Sequence, residues 1–298
     1  MEWTDEDWGL LLRLISFKRC TPFLGAGAAV PKLPTGSELA QRLVAKYQAY
    51  PVREDRDLTR VAQWALCHAN EVDLRESVRN WLQKAGTLDS EDPDELHWVL
   101  AGLDLPIYMT TNYDDFMTTA LKRRGRRPCR EVCKWHLARR RRSIPKFPSC
   151  RGFQRDYVPS EKSPLVFHLH GTLDEPESMV LTEDDYLDFL IYIQGLIPPR
   201  VEEAFSESCL LFLGYSLKDM SFKVLFRKLA SYASRSLGTR HFAVQLDPTD
   251  EREPSQRIED QRWYQEDRYQ AQMIKVYWGS CRDFAAELRQ RWEAFPHA

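Results

Sequence analysis

The stretch Thr21-Pro22-Phe23-Leu24-Gly25-Ala26-Gly27 decides the fold: a short apolar run followed by a glycine turn. Two further segments repeat the pattern. Leu105-Pro106-Ile107-Tyr108-Met109 runs into Thr110-Thr111-Asn112-Tyr113-Asp114, and Leu165-Val166-Phe167 runs into His168-Leu169-His170-Gly171. Each run has the length and composition of a buried strand, and each turn sits where that strand would end. In open α/β sheets, ligands bind outside the carboxyl ends of the strands. Three strand ends therefore deliver a glycine turn, an amide and an imidazole to one crevice.

Helical patterns fill the intervals. Thr4 and Asp7 cap a helix through Leu10, Leu11, Leu14 and Ile15, and Thr35 with Glu38 forms a capping box ahead of Leu39, Leu43 and Val44. A polar helical region covers 58–82, another 94–103, and shorter helices are predicted at 115–121, 183–193, 199–205, 222–232 and 284–292. Cys209-Leu210-Leu211-Phe212-Leu213 is the most apolar run, as expected of a strand buried on both faces. Later strands are predicted at 241–246 and 274–278. Strands alternating with helices predict a doubly wound, mostly parallel α/β sheet of Rossmann-like type, one domain over 1–298. Residues 122–160 break the pattern. They are basic, rich in Pro, Gly and Cys and poor in aliphatics, and read as an insert or small helical subdomain.

The chain has 298 residues, 43% of them hydrophobic and 29% charged, and a net charge of −2. Such a balance exerts no global pull toward nucleic acid or membrane. No apolar run reaches the length of a spanning helix. The start, Met1-Glu2-Trp3-Thr4-Asp5-Glu6-Asp7, is acidic and lacks the basic opening of a secretory signal. Seven cysteines, an odd and scattered set, argue for a reducing cytoplasm rather than a disulfide framework.

Glycines at 25 and 27 let the backbone approach a diphosphate, with the following amides turned toward it. The position three beyond Gly27, where a dinucleotide fingerprint places a third glycine, holds Val30. Asn112 serves either as a turn residue or as an amide that orients a water or a ribose hydroxyl. Asp114 serves either as a helix cap or as a catalytic carboxylate. His170 stands at a strand end beside a glycine that clears space for substrate. An imidazole with an ordinary pKa near about 6.5 suits a general base at neutral pH. His168 shares that strand face and is the second choice.

Taken together, Gly25-Ala26-Gly27, Thr110-Thr111-Asn112-Tyr113-Asp114 and His170-Gly171 resemble the sirtuin (SIR2) superfamily in order and in strand-like run-ins. Gly214-Tyr215-Ser216-Leu217-Lys218-Asp219 resembles the adenosine-side turn of SIR2-like domains, and 171–186 is similar to the bacterial SIR2-like group. The resemblance implies that Gly25, Ala26, Gly27, Thr111, Gly214, Ser216 and Asp219 bind NAD. It implies catalytic roles for Asn112, His170 and Asp114. Deacylating sirtuins carry Ser where this chain has Ala29, Gln where it has Thr111, and two Cys-x-x-Cys pairs that are absent here. These departures favour the branch that hydrolyses NAD+ itself, with NAD as substrate and no metal, often as an effector of bacterial anti-phage defence and abortive infection. The alternatives are an ADP-ribosyl transferase or cyclase and a non-catalytic NAD- or ADP-ribose-binding regulatory subunit. An NAD-depleting enzyme must be restrained, so the resemblance further implies a homo-oligomer or a regulatory partner.

Two features fall outside the resemblance. Cys129, Cys133, His136 and Cys150 have loose metal-ligand spacing and read as ordinary reduced cysteines beside a histidine. The run of Arg and Lys over 122–151 is opposed locally by Glu131 alone. A charge run is usually a solvated face, and this one is dense enough to contact nucleic acid or an acidic protein surface.

Overall fold

A computed structural model of the chain describes residues 3–52, 55–88, 92–141, 157–215, 223–224, 240–246, 267, 269 and 273–296. Its strands are β1 (Cys20–Leu24), β2 (Ile107–Thr110), β3 (Cys129–Val132), β4 (Leu165–His168), β5 (Cys209–Leu213), β6 (His241–Gln245) and β7 (Ile274–Trp278). They form one sheet in the order β3-β4-β2-β1-β5-β6-β7, with every pairing parallel. From β1 the chain adds β2 on one side, runs out to the edge strand β3 and returns to place β4 between β2 and β3, then crosses to build β5 to β7 on the other side. The strand order therefore reverses between β1 and β5, the position where such sheets open a crevice.

The inner strands β1, β2, β4, β5 and β6 are buried along their whole length, which is why the sequence shows them as unbroken apolar runs. Side chains alternate between faces. Phe23, Met109, Phe167, Phe212, Ala243 and Val276 lie in one row across the sheet and feed one core. Leu24, Tyr108, Val166, Leu211 and Phe242 feed the core on the other face. Pro22 sits in a central strand without breaking a ladder, because β1 pairs with β2 only from Phe23↔Met109 onward.

The helices are α1 (Asp5–Ser16), α2 (Gly36–Lys46), α3 (Leu58–His68), α4 (Glu71–Ala85), α5 (Leu96–Ala101), α6 (Phe116–Arg123), α7 (Trp135–Arg141), α8 (Glu183–Tyr192), α9 (Pro199–Glu207) and α10 (Cys281–Ala294). Thr4 and Thr35 close the capping boxes that their spacing predicts. Trp3 and Trp8 pack on Tyr277 and Phe284, which fastens the first helix to the last.

Two expectations are corrected. The helical region at 58–82 is two helices, because Asn70 accepts from the Val72 N–H and starts α4 afresh. The basic stretch 122–160 does not stand apart from the sheet: it supplies β3 and α7. β3 is an edge strand with its first half open to solvent, so Cys129 and Arg130 stand where an inner strand would carry aliphatics. Its charges have intramolecular partners distant in sequence. Arg124 lies 3.9 Å over the Trp98 ring, and Arg126 meets Asp104. Arg130 meets Asp174 at 2.6 Å, Lys134 meets Glu175, and Arg139 meets Asp188 at 3.1 Å. Residues 142–156 and the helix predicted at 222–232, apart from 223–224, lie outside the described residues.

Burial pushes three histidines, His136, His168 and His241, down to about 4, so each is neutral in the folded state. Unfolding restores their ordinary value of 6.5, and the unfolded chain then binds protons that the native chain does not. Stability is therefore complete above pH 6.5 and should fall as pH drops toward 4, by up to about 1.4 kcal/mol per pH unit for each histidine. Urea melts at a series of pH values test this; a stability that stays level from pH 7 to about pH 5 would contradict it.

A second prediction compares two left-handed glycines. At Gly214 (φ +73°) a Cβ would lie 2.0 Å from the Ala28 nitrogen, whereas at Gly125 (φ +76°) it would meet nothing within 4 Å. Gly125→Ala should cost about 1 kcal/mol from backbone strain alone. Gly214→Ala should cost well over about 2 kcal/mol, because backbone must move. Equal losses in denaturant melts would show that the contact at Gly214 is unimportant.

Candidate active site

Strand register sets the site. Leu24, Thr110 and His168 lie side by side, with Leu213 beside Leu24 on the other flank. Two residues further along each chain come Ala26, Asn112, His170 and Tyr215. All four line one cavity of about 950 Å³ at the carboxyl ends of the strands. The neighbouring strand ends add Gln245 and Gly279, and the starts of α2 and α3 close the rim.

The floor is a crossing of two glycine turns. The Gly25 N–H donates to the Leu213 carbonyl at 2.8 Å, and the Gly27 N–H donates to the Gly214 carbonyl at 2.9 Å. A Cβ at Gly25 would lie 2.8 Å from the Gly214 oxygen, and one at Gly27 would lie 3.0 Å from the Gly214 Cα. Glycine is needed here for backbone-to-backbone approach within the chain. The Gly27 amide is committed to Gly214, while the Ala26 end of the turn carries no side-chain cap and lines the cavity.

Asn112 is held on three sides. Its Nδ2 donates to the Gly25 carbonyl at 3.0 Å, its N–H donates to Thr110 Oγ1 at 2.9 Å, and its carbonyl lies 3.2 Å from His168 Nδ1. His168 is only 1% exposed and is thus a brace for Asn112, set below the cavity. Thr111 Oγ1 lies 2.6 Å from the Tyr215 hydroxyl, which also donates to the Leu24 carbonyl at 3.0 Å. Asp114 accepts the Phe116 N–H at 3.0 Å across the N-cap Asp115, so it fixes the turn into α6 while lining the cavity. Burial raises its carboxyl; the nearby His97 imidazole and the Phe116 N–H pull the other way without cancelling the rise.

His170 lines the cavity. Its ring packs edge-on against Phe189 with centroids 4.8 Å apart and against Tyr186 at 6.0 Å, both from α8. Nε2 is shielded from water and has no hydrogen-bond partner among the described residues. Burial pushes the imidazole down to about 3, which corrects the near-neutral value expected from sequence. The ring is neutral at physiological pH, with a polar atom left for a ligand to satisfy.

The loop after His170 is tied down from behind. The Val180 N–H donates to the His170 carbonyl at 2.9 Å, and the Tyr113 hydroxyl donates to the Val180 carbonyl at 2.6 Å. Arg75, 5% exposed on α4, donates to the Met179 carbonyl at 2.6 Å and to both oxygens of Asp185 at 3.0 and 2.8 Å. Asp185, 1% exposed, accepts the Leu181 and Thr182 N–H groups at 3.1 Å each. A buried charge pair with its remaining valences filled by backbone is rigid and costly to break. Gly171 (φ +91°) makes the turn, where a Cβ would lie 2.2 Å from the Ser178 oxygen.

Asn112, His170, Asp114, Thr111, Ala26, Gly27 and Gly214 all line the cavity, with Gly25 directly beneath. Ser216 and Asp219 lie outside the described residues. Sequence reasoning missed Tyr215, Tyr113 and Arg75, whose partners are distant in the chain. Cys133 is buried, which pushes its thiol up to about 12, and Cys150 lies outside the described residues. Among the described residues no group of three His, Cys, Asp or Glu side chains gathers to hold a metal.

A family model for the SIR2-like domain matches residues 106–271, more than half of the chain. Among curated proteins, the NAD(+) hydrolase ThsA of Acinetobacter baumannii (strain 532279) is 24% identical over 212 residues, covering 70% of this chain and 38% of that protein. The NAD(+) hydrolase ThsA of Bacillus cereus (strain MSX-D12) is 25% identical over 197 residues, covering 65% of this chain and 36% of that protein. The chain thus spans well under half the length of these relatives. A solved structure from "Structural Basis for the Mechanism and Regulation of Sir2 Enzymes" aligns over 96% of both chains at 12% identity, with a TM-score of 0.40. The family match takes in β2 to β6, and with them the strand ends that carry Asn112, His170 and Gly214; the chain belongs to the SIR2-like domain family.

Proposed function

We propose that the cavity binds NAD+ and hydrolyses its nicotinamide–ribose bond, giving nicotinamide, ADP-ribose and a proton. The observation that carries this is the unpartnered, shielded Nε2 of His170 in the wall shared with Asn112 and Asp114. The named relatives, both NAD(+) hydrolases, support the same chemistry.

In this mechanism the C1′–N bond to nicotinamide stretches first and the ribose gains oxocarbenium character. Asn112, fixed to Gly25 and braced by His168, orients the water or a ribose hydroxyl. Water adds to C1′ and its proton passes to His170, directly or through the ribose hydroxyls. A neutral imidazole of low basicity is sufficient, because water bonding to an oxocarbenium centre becomes strongly acidic. Low basicity also keeps a second positive charge away from the nicotinamide cation before the bond breaks. Asp114 holds the departing base or steadies Asn112. Tyr186 and Phe189 shelter the reacting face from bulk solvent. The biological setting that fits is depletion of NAD+ in anti-phage defence by a cytoplasmic protein, restrained until it assembles with itself or a regulatory partner.

Nicotinamide release from NAD+ by purified protein tests the reaction. His170→Ala should lower the rate by about 10²–10⁴-fold with the fold intact. Full hydrolysis by a folded His170→Ala protein would refute the mechanism, and a cyclic ADP-ribose product would identify a cyclase instead. The pH profile gives an independent check. Only the neutral ring accepts a proton, and it persists far below pH 6.5, so activity should hold from pH 8 to about pH 5. An acid limb centred near 6.5 would assign proton transfer to an ordinary, solvated histidine.

A further inference from the structure

Nucleotide sites usually meet phosphate charge with glycine-turn amides and helix N-termini. At this cavity most of those devices are already occupied within the chain, and among the described residues the Ala26 N–H of the glycine turn is the one left without a side-chain cap. The Gly27 N–H is held by Gly214 and the Ala28 N–H by the Gly25 carbonyl, each at 2.9 Å. The first turn of α2 is closed by the Thr35–Glu38 box, with the Glu38 carboxylate 2.7 Å from the Thr35 nitrogen. That of α3 is closed by Asp57, whose Oδ1 accepts the Thr59 and Arg60 N–H groups at 3.0 and 3.2 Å. That of α10 is closed by Ser280 and Asp283. Each of these caps also places a carboxylate where an incoming phosphate would be repelled.

One cation stands against this pattern. Among the described residues that line the cavity, Arg56 is the sole lysine or arginine. It makes no ion pair among the described residues, and its neighbours explain why. Arg60 satisfies both adjacent acids, with Nη1 3.2 Å from Asp55 and Nη2 3.3 Å from Asp57. The backbone on either side of Arg56 is braced. Asp55, 8% exposed, accepts the Tyr50 hydroxyl at 2.6 Å and the Asp57 N–H at 2.9 Å, while Gln41 donates to the Asp55 carbonyl at 2.8 Å. A solvent-exposed guanidinium with no ion-pair partner among the described residues is thus carried on a turn held at both neighbours.

We propose that Arg56 is the residue that reads the diphosphate of the bound dinucleotide, a side chain adding a full positive charge to what the neutral amides of the glycine turn supply. This rests on the assignment of the cavity as a dinucleotide site. A guanidinium can pair two phosphate oxygens at once, which an ammonium cannot reproduce. Phosphate recognition should therefore depend on salt and on the identity of this side chain.

Calorimetric binding of ADP and of adenosine to the full chain separates the outcomes. Wild-type protein should bind ADP more tightly than adenosine. Arg56→Gln should weaken ADP binding by at least about tenfold, flatten its salt dependence and leave adenosine binding and the melting temperature unchanged. Arg56→Lys should fall between the two. Unchanged ADP affinity in Arg56→Gln, or equal weakening of ADP and adenosine, would overturn the role of Arg56 while leaving the dinucleotide site standing. Binding of neither ADP nor NAD+ by the wild-type protein would remove the dinucleotide assignment itself, and this proposal with it.

Discussion

The contact on which the site depends is the crossing of two backbones, Gly25–Gly27 over Gly214, at the point where the strand order reverses. It is closer than any side chain would allow: a Cβ on Gly214 would lie 2.0 Å from the Ala28 nitrogen. The Gly25 carbonyl then holds Asn112, and Thr111 and Leu24 hold Tyr215 from the other turn. Widening the crossing by a methyl group would displace the amide, the tyrosine and the cavity floor together. Small residues here answer first to the protein's own backbone and only then to a ligand.

Opposite this rigid floor stands a histidine whose surroundings are apolar. Phe189 and Tyr186 desolvate His170, and the Arg75–Asp185 pair holds the loop that follows it. The result is a neutral imidazole with an unsatisfied nitrogen in a fixed place. Leaving a buried polar atom unpaired costs stability, and such costs concentrate where a ligand later supplies the partner. Charged side chains also line the cavity, among them Arg56 and Asp57 at the start of α3 and Asp114 beside Asn112. An apolar, desolvated region and a charged, open one suit two parts of the dinucleotide proposed to bind here: the nicotinamide-side ribose and the diphosphate.

Much of this was legible in the sequence, for physical reasons. Cys209–Leu213 is apolar throughout because helices cover both faces of the sheet there, so the strand announces itself without context. The placement of Asn112 and His170 at strand ends is legible because both follow such runs, and register then brings them to one level. β3 escaped notice because an edge strand needs little apolar surface, and Cys129-Arg130-Glu131-Val132 looks like a loop. The committed state of the Gly27 amide was also hidden. It depends on Gly214, and no local pattern links the two. The same holds for Tyr215, whose acceptor at Leu24 is 191 residues away, and for the acids that pair with the basic run, such as Asp185 with Arg139. Local chemistry declares which groups are present; which of them remain free for a ligand is settled by long-range packing.

The most direct test of the account is a crystal structure of the full chain with a carbocyclic NAD+ analogue, whose bond to nicotinamide cannot be hydrolysed. The nicotinamide-side sugar should lie against Asn112 with one of its hydroxyls, or a water bound to it, within about 2.6–3.2 Å of His170 Nε2. The diphosphate should point toward the start of α3. An analogue bound at full occupancy elsewhere on the protein, or bound in this cavity with His170 Nε2 still unpartnered, would contradict the central claim.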